Sequence, residues 1–264
     1  MSCDTSRFDQ KLLGFWCAGR DIYNVAVRSH SEEVLKLDSV KVASFFVQHS
    51  YRFADASLML AANNDVLPAA ALMRTAIEAQ ARANHLVSFN GREREDKAAE
   101  LFRLFELNGK RFANLLKKSV RGAAKVQGCP VRVRKVIEGS VAEPAAEAKS
   151  LREERRSLEG KWGYGAVIER QFFGDAKKNS RTPFQQIQQT LDIAYNLGSF
   201  ALHPDLMSLQ AEKMLSTNEI MEYAAAVAVC VVHCYLVTVG MQNDPQFNHL
   251  VTEYSDYVWS KVQE

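Results

Sequence analysis

The chain has 264 residues, with 33 Lys and Arg against 31 Asp and Glu for a net charge of +2, 47% hydrophobic residues and 24% charged ones. Those proportions exclude a disordered tail and a membrane-embedded protein, and a charge so near neutral does not by itself indicate a polyanionic partner. The 13 glycines and 6 prolines are too few to punctuate many short strands, which favours helices.

Five cysteines, Cys3, Cys17, Cys129, Cys230 and Cys234, are an odd number without framework spacing. The opening "MSCDTSRFDQKLL" lacks the basic-then-apolar build of a secretory signal. A cytoplasmic location is expected, with no membrane association.

In chain order, helical periodicity predicts a first helix over about 8–28 and a long one from Ser39 to Asn63. The stretch "NDVLPAAALMRTAIEAQARANHLV" follows, with Asp65 as N-cap, Pro68 tolerated in the first turn and an alanine-rich body that packs closely. Residues 92–118 read as a charged amphipathic helix. Gly122, Gly128, Pro130, Gly139 and Pro144 then predict short pieces over 119–160, an insertion or connector within a single 1–264 helical domain.

"TPFQQIQQTLDIAYNLGSFALH" starts with Thr182 as N-cap, Pro183 at the first helical position and Gln185 as capping-box partner. It ends at His203, because Pro204 disfavours helix in the residue before it. Ser216 and Glu219 form a second capping box ahead of "IMEYAAAVAVCVVHCYLVTVG", Gly240 closes that helix, and a last one follows Asp244 and Pro245. The expected class is all-α.

Three groups of residues carry chemistry. On the alanine-rich helix, Arg74, Glu78, Arg82 and His85 fall in one narrow arc, because steps of four, four and three nearly complete whole turns. That stripe is either a solvent face with an i,i+4 ion pair of about 0.3–0.5 kcal/mol or a partly buried polar line among apolar neighbours. Ser199 and His203 stand one turn apart at the end of the later helix, where the dipole favours a protonated imidazole. His203 either works as an acid or base, or only ends the helix. The third group is Lys110, Arg111, Lys117, Lys118, Arg121, Lys125, Arg132, Arg134 and Lys135, a run without an acidic residue. It lies against phosphates, or it is a solvated face neutralised by the glutamates of 138–159. Cys230, His233 and Cys234 share a helical face, but a fourth ligand is not apparent, so no metal and no cofactor is expected.

"RTAIEA", the segment "GKWGYGAVIERQFF" and "YNLGSFALH" together resemble a group of bacterial helical proteins that carry an R-[ST]-x-x-E helix followed by a Y-x-x-x-S-x-x-x-H helix. That arrangement is similar to the HEPN domains, helical bundles found in toxins, antiphage systems and RNA- or nucleotide-binding modules. The resemblance implies a HEPN-like bundle with a less regular basic insertion. It also implies a homodimer, an RNA or nucleotide ligand, and a protein antitoxin or regulator as a further partner. In such a site His203 would be the acid or base, Arg74 would contact phosphate and Glu78 would orient either. Ser199, Asn196 and Arg82 would supply ligand contacts.

Active HEPN ribonucleases place an arginine before the histidine on the same helix with four to six residues between them, and here the position with six intervening residues is Asn196. Asparagine offers hydrogen bonds without the fixed positive fork of a guanidinium. Two readings follow: a metal-independent endoribonuclease in which Arg74 supplies the charge from the neighbouring helix, and a non-catalytic protein in which Arg74, Glu78 and His203 form a structural network.

Overall fold

The computed structural model describes residues 5–125, 130–140, 146–173, 183–201 and 215–262. Among the described residues every regular element is a helix, so the chain is all-α. A 3-10 turn at Thr5–Arg7 precedes α1 (Gln10–Ser29), α2 (Glu32–Leu35), α3 (Asp38–Ala62), α4 (Val66–Val87), α5 (Gly91–Ala124) and α6 (Val131–Ser140). Then come α7 (Lys149–Trp162), α8 (Tyr164–Phe173), α9 (Pro183–Phe200), α10 (Thr217–Thr238) and α11 (Pro245–Val262). Two compact units result, one of Met1–Ala98 with Tyr164–Glu264, the other of Ala99–Gly163.

The first unit is built around α10, which packs on α1, α3 and α4. Its side chains from Ala224 to Val232 are buried on all sides, which is why the helix has no polar face. By length and composition α10 could cross a membrane, yet most of it is enclosed by other helices of the same unit. Both ends behave as the residues predict. The Ser216 hydroxyl accepts from the Glu219 amide while Glu219 accepts from the Ser216 amide, completing the capping box. At the other end Gly240 takes φ +78°, and the amides of Gly240 and Met241 donate to the carbonyls of Val237 and Leu236. That pair of bonds is a Schellman closure. Pro245 opens α11 with the Asp244 carboxylate accepting from the Phe247 amide.

Other ends are settled by distant residues. Asp65 stands at the N-cap of α4, but its side chain makes no capping bond. Leu37 precedes α3 and has no side chain able to cap it. Instead Glu95, from the first turns of α5, accepts from the amides of Asp38 and Ser39 and from the Ser39 hydroxyl. A carboxylate there also suits the positive end of the α3 dipole. Glu95→Ala is expected to cost about 1–2 kcal/mol, with Glu95→Gln losing less, as read by urea denaturation. An unchanged midpoint in the alanine variant would refute the capping role.

The second unit holds α5 beyond Ala98, α6 and α7. Leu101, Leu104, Leu107, Leu158 and Trp162 are its buried apolar residues. Around them the Arg103 guanidinium donates to both oxygens of Glu154 at 2.8 and 2.9 Å, and buried Arg155 is held by Glu147 and Glu159. The segment 119–160 is more regular than its glycines and prolines predict. α5 runs through Gly122 to Ala124, α6 contains Gly139, and Pro130 stands just ahead of α6, its carbonyl accepting from the Arg134 amide. A glycine inside a helix costs only about 1 kcal/mol, and proline opens helices as readily as it ends them. Gly128, Cys129 and Pro144 lie outside the described residues, as do Thr182 and the side chain of Gln185.

Candidate functional site

The expected polar centre falls on α4 and α9, which pack directly against each other. Their approach is unusually close at Gly198. A Cβ there would lie 2.5 Å from the Ala70 carbonyl oxygen and 2.9 Å from the Arg74 Cβ. Only hydrogen fits in that space, and the contact brings Tyr195, one turn earlier on α9, over Arg74. The Arg74 guanidinium donates to the Tyr195 hydroxyl at 2.9 Å and lies 4.8 Å from the ring centroid. Tyr195 in turn stacks on Tyr164 of α8, with centroids 3.5 Å apart and planes 15° from parallel. The Tyr164 hydroxyl donates to Asp192 at 3.1 Å, and burial together with that carboxylate pushes its pKa well above the ordinary phenol value.

Glu78 is not the partner of Arg74. Its carboxylate accepts from Arg82, one turn later, at 2.6 Å, and both side chains are about one-quarter exposed. The stripe is therefore partly buried rather than a solvent face, and the ion pair within it is that of Glu78 and Arg82. Ser199 donates to the Tyr195 carbonyl and Asn196 to the Asp192 carbonyl, so both satisfy their own helix. His203 lies outside the described residues.

Sequence reasoning missed the aromatic members of this region. Tyr195 stood inside the quoted motif without a role, and its partner Tyr164 is 31 positions away in the chain. Nearby on α3, His49 is held between Phe45 at 5.4 Å and Phe53 at 4.6 Å, an i, i+4, i+8 spacing readable in the sequence. Burial lowers the His49 pKa from its ordinary 6.5, Arg52 and Arg82 lower it further, and Glu78 opposes them. A depressed folded-state value means the unfolded chain binds the proton more readily, so His49 subtracts stability as pH falls below about 6.5. His49→Phe should flatten that part of the profile between pH 7.5 and pH 5. An equal loss in both proteins would show that His49 does not cause it.

The basic run is distributed over α5 (Lys110, Arg111, Lys117, Lys118, Arg121), the residue after it (Lys125) and α6 (Arg132, Arg134, Lys135). Among the described residues, neutralisation by the glutamates of 138–159 is slight. Lys110 pairs with Glu106 of its own helix, and Arg111 reaches Glu159 at 3.6 Å. Glu147, Glu153, Glu154 and Glu159 are otherwise engaged by Arg103, Lys149, Arg152 and Arg155. Among the described residues no carboxylate lies within ion-pair distance of Lys117, Lys118, Lys125, Arg132, Arg134 or Lys135. Lys110, Arg111, Lys117 and Lys118 line a cleft of about 610 Å³ between α5 and the start of α7.

Cys230 and Cys234 are buried, their thiol pKa values raised by desolvation, and His233 stacks on Phe247. Among the described residues no three potential metal ligands converge. No family model, curated protein or solved structure matches the chain.

Proposed function

We propose that this chain binds RNA through the cationic face of α5 and α6, within a HEPN-like architecture. The observation that carries the reading is the set of six cations without a carboxylate partner among the described residues, in a stretch from Lys110 to Lys135 that holds no acidic residue. Exposed, unneutralised cations release counterions from a phosphate backbone on contact, which supplies sequence-tolerant affinity. The cleft beside Lys117 and Lys118 has room for a nucleotide, and Arg111 at its edge offers a planar fork for phosphate. A toxin or antiphage effector, held by a protein regulator, would use such a surface.

A second reading is favoured for the α4–α9 cluster. Arg74 is engaged by both the hydroxyl and the ring of Tyr195, and Glu78 by Arg82, so these groups are already committed to one another, with the Arg74 Nε alone left buried and without a hydrogen-bond partner. It acts as a lock between helices, and His203 is left as the residue on which any catalysis would rest.

The test is fluorescence anisotropy with a labelled RNA pool that includes tRNA, at low and moderate salt, beside a cleavage assay with His203→Ala. Salt-dependent binding without cleavage supports an RNA-binding protein. Cleavage lost in the variant adds a metal-independent ribonuclease. No binding by the folded protein at low salt overturns the proposal.

A further inference from the structure

The second half of α5 separates apolar from cationic residues around its axis. At about 100° per residue, Gly109, Phe112, Leu116, Val120 and Ala123 fall within an arc of roughly 80°, which Leu115 widens to roughly 140°. Lys110, Arg111, Lys117, Lys118 and Arg121 occupy the opposite arc, roughly 120° wide. The apolar arc is not covered by the rest of the chain, since Phe112 is 69% exposed, Leu116 55% and Leu115 49%. Among the described residues, seven of the twelve exposed large apolar side chains lie between Phe102 and Val136. That concentration is a patch, unlike the scattered apolar exposure of an ordinary surface.

The charges identify what covers it. Every charged side chain from Lys110 to Lys135 is basic, so the whole stretch is drawn to an anionic surface. Lys117 and Lys118 border the apolar arc on its two sides, and among the described residues no carboxylate lies within ion-pair distance of either. RNA meets the cations and leaves Phe112 and Leu116 in water. The headgroup layer of an anionic membrane takes both at once: the apolar side chains enter the acyl boundary, and the lysine stems run back to the lipid phosphates. α6 repeats the composition, with Val131, Val133 and Val136 exposed among Arg132, Arg134 and Lys135.

We infer that the apolar arc of α5, centred on Phe112 and Leu116, docks the chain onto the surface of an anionic membrane, with the helix lying in the headgroup layer rather than spanning it. The apolar side chains supply the insertion, and each cation held near the surface strengthens partitioning on the order of fivefold. This departs from the expectation of no membrane association, which followed from bulk composition and the missing secretory signal. Neither bears on a helix that lies flat on a bilayer. The inference does not rest on RNA binding, which needs the cationic arc and makes no use of the apolar one.

The test is flotation of the full chain with phosphatidylcholine vesicles containing about 30% phosphatidylserine, beside vesicles of phosphatidylcholine alone. The chain should float with the anionic vesicles, much less with the neutral ones, and less as salt rises. Phe112→Gln with Leu116→Gln should lower partitioning by about 10-fold or more while keeping every cation. Both side chains are more than half exposed, so the variant folds as the parent does. An environment-sensitive fluorophore at Leu116→Cys, with Cys3, Cys17 and Cys129 changed to Ser, should brighten and shift to the blue on anionic vesicles. The same label at Asn114→Cys, in the middle of the cationic arc, should change little. A folded chain that stays unbound at low salt overturns the inference, including one that instead covers the arc by self-association. So does undiminished flotation of the glutamine variant, equal binding to neutral vesicles, or a response at Asn114 in place of Leu116, which would mean adsorption through the cations alone.

Discussion

Gly198→Ala is expected to lower the unfolding free energy by about 2–3 kcal/mol, although alanine is favoured over glycine by about 1 kcal/mol inside a helix. The added methyl would sit 2.5 Å from a backbone oxygen of α4 and 2.9 Å from the Arg74 Cβ. Neither is the far end of a flexible side chain, so the helices must part. Separation also draws Tyr195 away from Arg74, and the arginine then loses its hydroxyl partner and its ring together. Urea denaturation reads the loss directly. A neutral or stabilised variant would mean that α9 does not pack on α4 as closely as described. Arg74→Lys provides a milder companion, keeping the charge while losing the planar group that lies over Tyr195.

Replacing Lys117, Lys118, Arg132 and Arg134 together by alanine should weaken RNA binding on the order of 100-fold at moderate salt. The slope of log affinity against log salt should fall by about 3, since each phosphate contact on a single strand contributes about 0.7. Folding should be little affected, because among the described residues none of the four takes part in an ion pair that holds α5, α6 or α7. The control is Arg103→Ala with Arg155→Ala. Those arginines are committed to Glu154, Glu147 and Glu159, and their loss should lower stability without changing the salt slope. If the quadruple variant binds RNA as the parent does with the same slope, the cationic face is not where RNA is held.

Much of the fold was legible because the signals were local. The capping box at Ser216 and Glu219, the closure at Gly240, and the Pro245 start all depend on residues within a turn of one another, and the structure realises each. The class was legible for a related reason, since sparse glycine and proline and sustained periodicity leave little but helix. Local signals also misled. Gly122 and Gly139 read as breaks, but a lone glycine weakens a helix by less than its neighbours stabilise it, and both stand inside helices.

The candidate site was legible as a set of residues and not as a set of pairs. Spacing alone joins Arg74 to Glu78 as readily as it joins Glu78 to Arg82, since both are i, i+4. The structure selects the second because Tyr195, brought over Arg74 by the missing side chain of Gly198, takes the first arginine away. The same limit hid Glu95, whose partners Asp38 and Ser39 lie 57 and 56 positions distant.

By itself the sequence determined the all-α class, most helix ends and the cationic run, because each is written in residues a few positions apart. Tertiary structure alone decided which arginine holds which carboxylate and which helix end is capped from afar. Those outcomes turn on distances between segments remote in the chain, and a periodic pattern carries no information about them.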